Sequence, residues 1–242
     1  MSQSKFLEFQ LDERRPVNEI QKNNIRNILL SLRKEGVLSR KDLCRKCGLT
    51  GAGLSRNIHK LIDAGLVIEE LDPVISGKLG RRRSCLTINP TGVHVFCATI
   101  AHNRKSVALM NAAGIVIVER ELTELDLSNP FATLSTIAQN VENLVTEYNL
   151  DLTRILGISI MLGISDGSVV IKGNEVTSTM LEWKNVPVAD YLQSRIKIPV
   201  CTVSRARALI QVEIEKLSLP SPEQKYLLIS CGLGIGAAFH IV

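Results

Sequence analysis

At 242 residues, 45% hydrophobic and 22% charged, the chain has material for roughly one or two globular domains and lacks the bias of a disordered or fibrous protein. Its net charge of +5 is uneven: residues 1–90 hold 17 Lys and Arg against 10 Asp and Glu, whereas residues 91–242 hold 12 against 14. A basic first third calls for a polyanion as partner, and the remainder does not.

Residues 1–16 show no apolar period and carry Arg14, Arg15 and Pro16, which predicts a mobile N-terminal arm. The polar opening MSQSKFLEFQLDERR has no secretory character, so Cys44, Cys47, Cys85, Cys97, Cys201 and Cys231 read as reduced thiols of a cytoplasmic protein. Cys44 and Cys47 form a C-x-x-C pair, but neither a second pair nor histidines lie nearby to complete four zinc ligands. The expectation is no metal, with Cys47 facing the core of a short helix and Cys44 on its side.

Residues 17–90 predict a winged helix-turn-helix. Ile20, Ile25, Ile28, Leu29 and Leu32 mark a first helix ending near Gly36. Ser39, with Asp42 three residues on, caps a short second helix that Gly48 stops. Thr50 caps a third, which Gly65 ends. Leu54, Ile58, Leu61 and Ile62 fall on one face of it, and Ala52, Arg56, His59 and Lys60 on the other. A helix presented this way can lie in the major groove and read base edges. Val67–Leu71 and Ser84–Asn89 then read as a hairpin whose tip carries Lys78, Arg81, Arg82 and Arg83 among glycines, a wing suited to phosphates or a narrow minor groove. The predicted DNA contacts are therefore Thr50, Ser55, Arg56, His59, Lys60, Lys78, Arg81, Arg82 and Arg83, with Ser55 and Arg56 contributing to sequence choice.

After the turn Asn89-Pro90-Gly92 the pattern changes to strands: His94–Ala101, Lys105–Met110 and Ile115–Glu121. Asn129-Pro130 opens a helix with Phe131, Leu134, Ile137, Val141, Leu144 and Tyr148 on one stripe. A buried strand 155–162, a helix 187–195, a strand 199–203, a helix 205–217 and a strand 226–231 follow. This order predicts one mixed sheet covered by helices. The final residues YLLISCGLGIGAAFHIV are uncharged, but too short and glycine-broken to span a membrane. Gly232, Gly234 and Ala237 match G-x-G-x-x-A, yet a strand follows instead of a helix. No dinucleotide or other cofactor is expected, and a strand, turn and returning strand is the reading.

The stretches GLTGAGLSRNIHKLIDAGLV, GKLGRRRSCLTINPTG, LEWKNVPVADYLQSRIKIPV and GLGIGAA, in this order, resemble the ROK family of sugar-responsive repressors and sugar kinases. The resemblance implies an α+β and α/β architecture. A winged helix-turn-helix (17–90) would be followed by an actin-like, ribonuclease-H-like ROK domain (91–242), its first lobe complete and its second truncated. It implies sugar in a cleft between lobes and assembly through that domain. Where family kinases carry D-x-G-G-T, this chain has Thr99, Ile100, Ala101, His102 and Asn103, and the family's Asn-Asp-Ala aligns with Ser204, Arg205 and Ala206. The Thr of the second phosphate loop is Leu233, and an Asn expected before Leu181 is Met180. Arginine stays protonated and cannot act as the base.

The expectation is thus a cytoplasmic transcriptional regulator, of repressor type, for carbohydrate-related genes. It would bind double-stranded operator DNA as a homodimer, with a degenerate, non-catalytic ROK domain for dimerisation and effector sensing. Ser204 and Arg205 are the candidate contacts for a sugar-derived or anionic effector. Two rival readings are a sugar kinase, which the lost base and loops oppose, and an assembly scaffold without DNA binding. The Gly51-Ala52-Gly53 opening of the third helix favours the latter slightly, because it removes base-reading side chains.

Overall fold

The computed structural model describes residues 19–71, 84–101, 104–163, 169–179, 181–216, 225–231 and 235–241. Two compact units are present, one of Met1–His94 with Met110–Ile115, the other of Val95–Leu109 with Val116–Val242.

In the first unit, α1 (Glu19–Glu35) buries Ile25, Ile28 and Leu32, while Ile20, expected on the same stripe, is 65% exposed. It sits in the first turn, beyond the reach of the other two helices' apolar faces. α2 (Arg40–Cys47) begins at Ser39, whose hydroxyl accepts from the Asp42 N–H and donates to the Asp42 carboxylate at 2.6 Å. It ends at Gly48 in the left-handed conformation, φ 64°, which a residue with Cβ adopts only at a cost. α3 (Gly51–Asp63) starts at Thr50, whose Oγ1 accepts from the Gly53 N–H. Leu43, Leu54, Ile58 and Leu61 then close a core with α1.

A three-stranded sheet completes this unit in the order β1 (Leu38–Ser39), β3 (Ser84–Ile88), β2 (Val67–Leu71). The hairpin is as the sequence predicts, paired from Val67↔Ile88 to Leu71↔Ser84. The two-residue strand β1, pairing Leu38↔Leu86 and Ser39↔Cys85, carries no periodicity of its own and was not foreseen. The exit turn is locked to the end of α3. Asn89 Nδ2 donates to the Gly65 carbonyl at 2.8 Å, and a Cβ on Gly92 would stand 2.0 Å from that same oxygen, so only glycine fits there.

The second unit is built on a five-stranded sheet ordered β11 (Val200–Ser204), β7 (Ile155–Gly163), β4 (His94–Ala101), β5 (Arg104–Asn111), β6 (Val116–Glu121). β11 runs parallel to β7, in register from Val200↔Ile158 to Ser204↔Leu162. α4 (Pro130–Glu147), capped by Asn129, packs Leu134, Ile137, Ala138, Val141 and Leu144 into a core with Phe96, Ile100, Leu109, Ile158 and Ile160. Phe131 and Tyr148, placed on that stripe by spacing, are instead exposed, because they lie in the first turn and just past the last. Phe131 packs against Tyr191 of α5 (Val188–Ile196), with ring centroids 5.3 Å apart and the planes tilted by 53°.

A small antiparallel sheet, β8 (Val169–Lys172), β9 (Glu175–Ser178) and β10 (Trp183–Val186), was not predicted. It brings in Trp183, fully buried with its indole N–H donating to the Leu127 carbonyl at 2.8 Å. The last predicted strand does not join the main sheet. β12 (Lys225–Cys231) pairs with β13 (Ile235–Ile241) in a separate two-stranded sheet against α6 (Arg205–Lys216). Alternation explains the rest of its environment: Leu227, Ile229 and Phe239 point away from α6 and are 53%, 62% and 72% exposed. Among the described residues, no helix is long and apolar enough to cross a membrane.

Candidate nucleic-acid interface

The face of α3 opposite its core residues is where the sequence places the DNA contacts. Ala52, Arg56, His59 and Lys60 are exposed, one helical turn apart in pairs, while Leu54, Asn57, Ile58 and Leu61 are buried. Thr50 is exposed at the helix start with its hydroxyl engaged in the cap. The structure therefore brings Ser55, Arg56, His59 and Lys60 together on one surface, with Thr50 at its end. Lys78, Arg81, Arg82 and Arg83 lie outside the described residues. The strands on either side of them in sequence, β2 and β3, are paired up to Leu71↔Ser84.

Two features escaped the sequence. Asn57, on the core side of α3, is 5% exposed; it donates to the Gly53 carbonyl at 3.0 Å and accepts from Gln21 of α1 at 3.3 Å. Its spacing of three from Leu54 and four from Leu61 was the available signal. A polar side chain there is tolerated because both ends of its amide are paired.

The other is a charged cluster. Arg40, the first residue of α2, donates through Nε and Nη2 to both oxygens of Glu69 on β2, at 2.9 and 2.8 Å. A third donor, Nη1, lies 3.4 Å from Ser55 Oγ on α3. Two bonds from Arg40, with further help from Ser84 and the nearby His59, hold the Glu69 carboxyl at about 2, below the usual range. Arg40 is correspondingly raised, chiefly by its bonds to Glu69. No local pattern links residues 29 apart, so this pairing had no sequence signature.

Cys47 sits half-buried with Sγ 3.8 Å from Ser31 Oγ, and burial pushes its thiol up, away from the thiolate that metal or redox chemistry requires. In the second unit the last residues of β4, β7 and β11 converge. A Cβ on Gly163 would meet Arg205 Cδ at 3.1 Å, Arg205 Cβ at 3.2 Å and Ala101 Cβ at 3.4 Å. The Arg205 stem therefore lies over a bare glycine, at the carboxyl ends of parallel strands where α/β folds bind ligands. Its neighbour Ser204 accepts from the Arg207 N–H at 3.4 Å, and Arg205 itself is exposed. Of the other degenerate positions, Thr99 to Ala101 continue β4, while His102, Asn103, Met180 and Leu233 lie outside the described residues.

The sequence pattern of the MarR family matches residues 27–74, the helices and first wing strand just described. The chain is 24% identical over 188 residues to the DNA-binding transcriptional repressor Mlc of Escherichia coli, covering 76% of this chain and 45% of that protein. It is 23% identical over 225 residues to the xylose repressor of Bacillus spizizenii, covering 91% of this chain and 56% of that one. A crystal structure described as a ROK family transcriptional regulator, homologous to Mlc, superposes with a TM-score of 0.66 at 23% identity. It covers 93% of this chain and 55% of that chain. The chain thus spans about half the length of these relatives.

Proposed function

We propose that this chain, whose fold is that of a ROK family transcriptional regulator, binds operator DNA through its first unit and acts as a repressor of carbohydrate-related genes in the cytoplasm. The observation that carries the reading is the exposed face of α3, where Arg56, His59 and Lys60 stand clear of a core that holds the helix from behind. A basic helix face beside a paired hairpin can enter the major groove while the hairpin tip reaches the backbone. Thr50, Ser55, Arg56, His59, Lys60, Lys78, Arg81, Arg82 and Arg83 form the proposed contact set within the winged helix of residues 17–90, divided between α3 with its cap and the wing.

The second unit, residues 91–242, serves in this reading for dimerisation and effector sensing, without catalysis. The resemblance aligns Arg205 with the Asp that serves family kinases as base, and a guanidinium cannot accept a proton. No ATP-dependent phosphorylation of glucose, mannose or N-acetylglucosamine is expected. Turnover above a no-enzyme control, lost on changing Arg205, would overturn this. Ser204 and Arg205 are the proposed contacts for an effector, with charge-assisted bonds favouring an anionic sugar derivative.

The test of the main reading is affinity for short duplex DNA at several salt concentrations. Binding should weaken with salt, and Arg56→Ala with Lys60→Ala should each reduce the slope of log affinity on log salt by about 0.9. An unmodified slope would remove these residues from the interface. A wild-type chain that binds no duplex would favour the scaffold reading.

A further inference from the structure

The exposed cations of α3 face outward, but Arg40, at the edge of the same surface, is tied down. Both Glu69 oxygens hold it, and the remaining donor rests on Ser55, so one carboxylate from β2 fixes groups on α2 and α3. The same carboxylate is bonded by Ser84 of β3 and feels the charge of His59. Glu69 of β2 is therefore tied to α2 and β3 directly and to α3 through Arg40. An acid beside a phosphate-facing surface opposes polyanion binding, which makes a role in affinity alone unreasonable.

An arginine at the start of α2, if untied, is long enough to turn toward a phosphate and add a contact that carries no sequence information. Held by a planar bidentate pair, it is fixed in orientation and presents an N–H to the Ser55 oxygen. With its oxygen accepting from Arg40, the Ser55 hydroxyl keeps its proton for an outward acceptor such as a base edge. We propose that Glu69 sets the sequence discrimination of this DNA reader by holding Arg40 on Ser55 and away from phosphate. Glu69 and Arg40 are then positioning residues, and Ser55 is the group that reads. The inference rests on the DNA-binding reading above.

The experiment measures the whole chain against two probes, a mixed-sequence duplex and a duplex enriched from a random pool by the wild-type protein. Glu69→Ala should tighten binding to the mixed-sequence duplex and steepen its salt slope by about 0.9, the mark of one added phosphate contact. The preference for the enriched duplex should narrow by about tenfold, within the range expected for one base pair that is no longer read. Adding Arg40→Ala to Glu69→Ala should return the slope to the wild-type value. A double variant that keeps the steeper slope would mean that Glu69 merely repels DNA, and would overturn the assignment, as would an unaltered slope in Glu69→Ala. Glu69→Gln, which preserves side-chain size, gives the same readout if the alanine variant melts early. Wild-type protein that binds neither duplex overturns the DNA-binding reading itself. Wild-type binding with unchanged variants overturns only the role of Glu69.

Discussion

The α3 surface of the first unit and the β11–α6 junction of the second both present arginine to solvent, yet they support different conclusions. On α3 the residues that would act lie on the helix face opposite Leu54, Ile58 and Leu61, so the core that holds the helix also aims them outward. At the junction, Arg205 rests over Gly163 at the end of a sheet whose Ile158, Ile160 and Leu162 stay buried. There the core holds the frame without specifying the chemistry, because proton abstraction depends on one carboxylate at one strand end. Groove binding tolerates substitutions among several surface cations, whereas proton abstraction would need one particular carboxylate.

The contrast is broken most strongly by attacking the core of one unit and watching the other. Leu54→Ala with Ile58→Ala should each cost about 2–5 kcal/mol and melt α3, abolishing DNA binding. The chain's one tryptophan, Trp183, is buried in the second unit and should keep its folded fluorescence. Simultaneous loss of both signals would show that the units are not independent. A smaller but still large effect is expected from the wing. Replacing Arg81, Arg82 and Arg83 together by alanine should lower the salt slope by about 0.9 for each phosphate the wing no longer neutralises, up to about 2.7. Unchanged affinity and slope would confine the interface to α3.

Dimerisation sharpens the comparison from the other side. Leu227, Ile229 and Phe239 leave an uncovered apolar face on the β12–β13 hairpin, and such a face favours pairing with another copy. Sedimentation at micromolar concentration should show a dimer, which Leu227→Lys with Phe239→Lys converts to monomer. A monodisperse wild-type monomer would exclude that role for the hairpin. The smallest effect concerns acid. Glu69 is held at about 2, whereas its unfolded carboxyl titrates near 4.5, so between these values the unfolded chain binds more protons. The stabilisation is complete above about pH 4.5 and is lost as pH falls toward 2. Solvent screening of a pair whose side chains are 31% and 28% exposed limits it to about 1 kcal/mol. Urea melts at pH 7 and pH 3 should show a larger loss in the wild type than in Glu69→Gln, which retains only the share of other lowered carboxylates such as Asp42.

The local parts of the first unit were legible. Ser39 with Asp42, Thr50 with Gly53, and Gly48 act within four residues, so the helix ends follow from chemistry adjacent in the chain. The spacing of Leu54, Ile58 and Leu61 likewise fixes which face of α3 is buried, and hence that Arg56, His59 and Lys60 are exposed. In the second unit, α4, α5, β7 and β11 follow in the same way from apolar runs or regular stripes.

Only the tertiary structure decided what depends on partners distant in sequence. β1 is a strand because Leu38 meets Leu86, and the short strands β8, β9 and β10, each of four residues, offer too few alternations to be read. Ile20, Phe131 and Tyr148 have the right spacing, but each lies near a helix end, beyond the reach of the core. β12 left the main sheet because its pairing with β13 supplies its backbone bonds and α6 covers one of its faces. The Arg40–Glu69–Ser55 contact joins three elements that periodicity treats separately. Side-chain period reports which face is apolar, whereas a specific ion pair requires the folded backbone to bring two chosen residues within 3 Å.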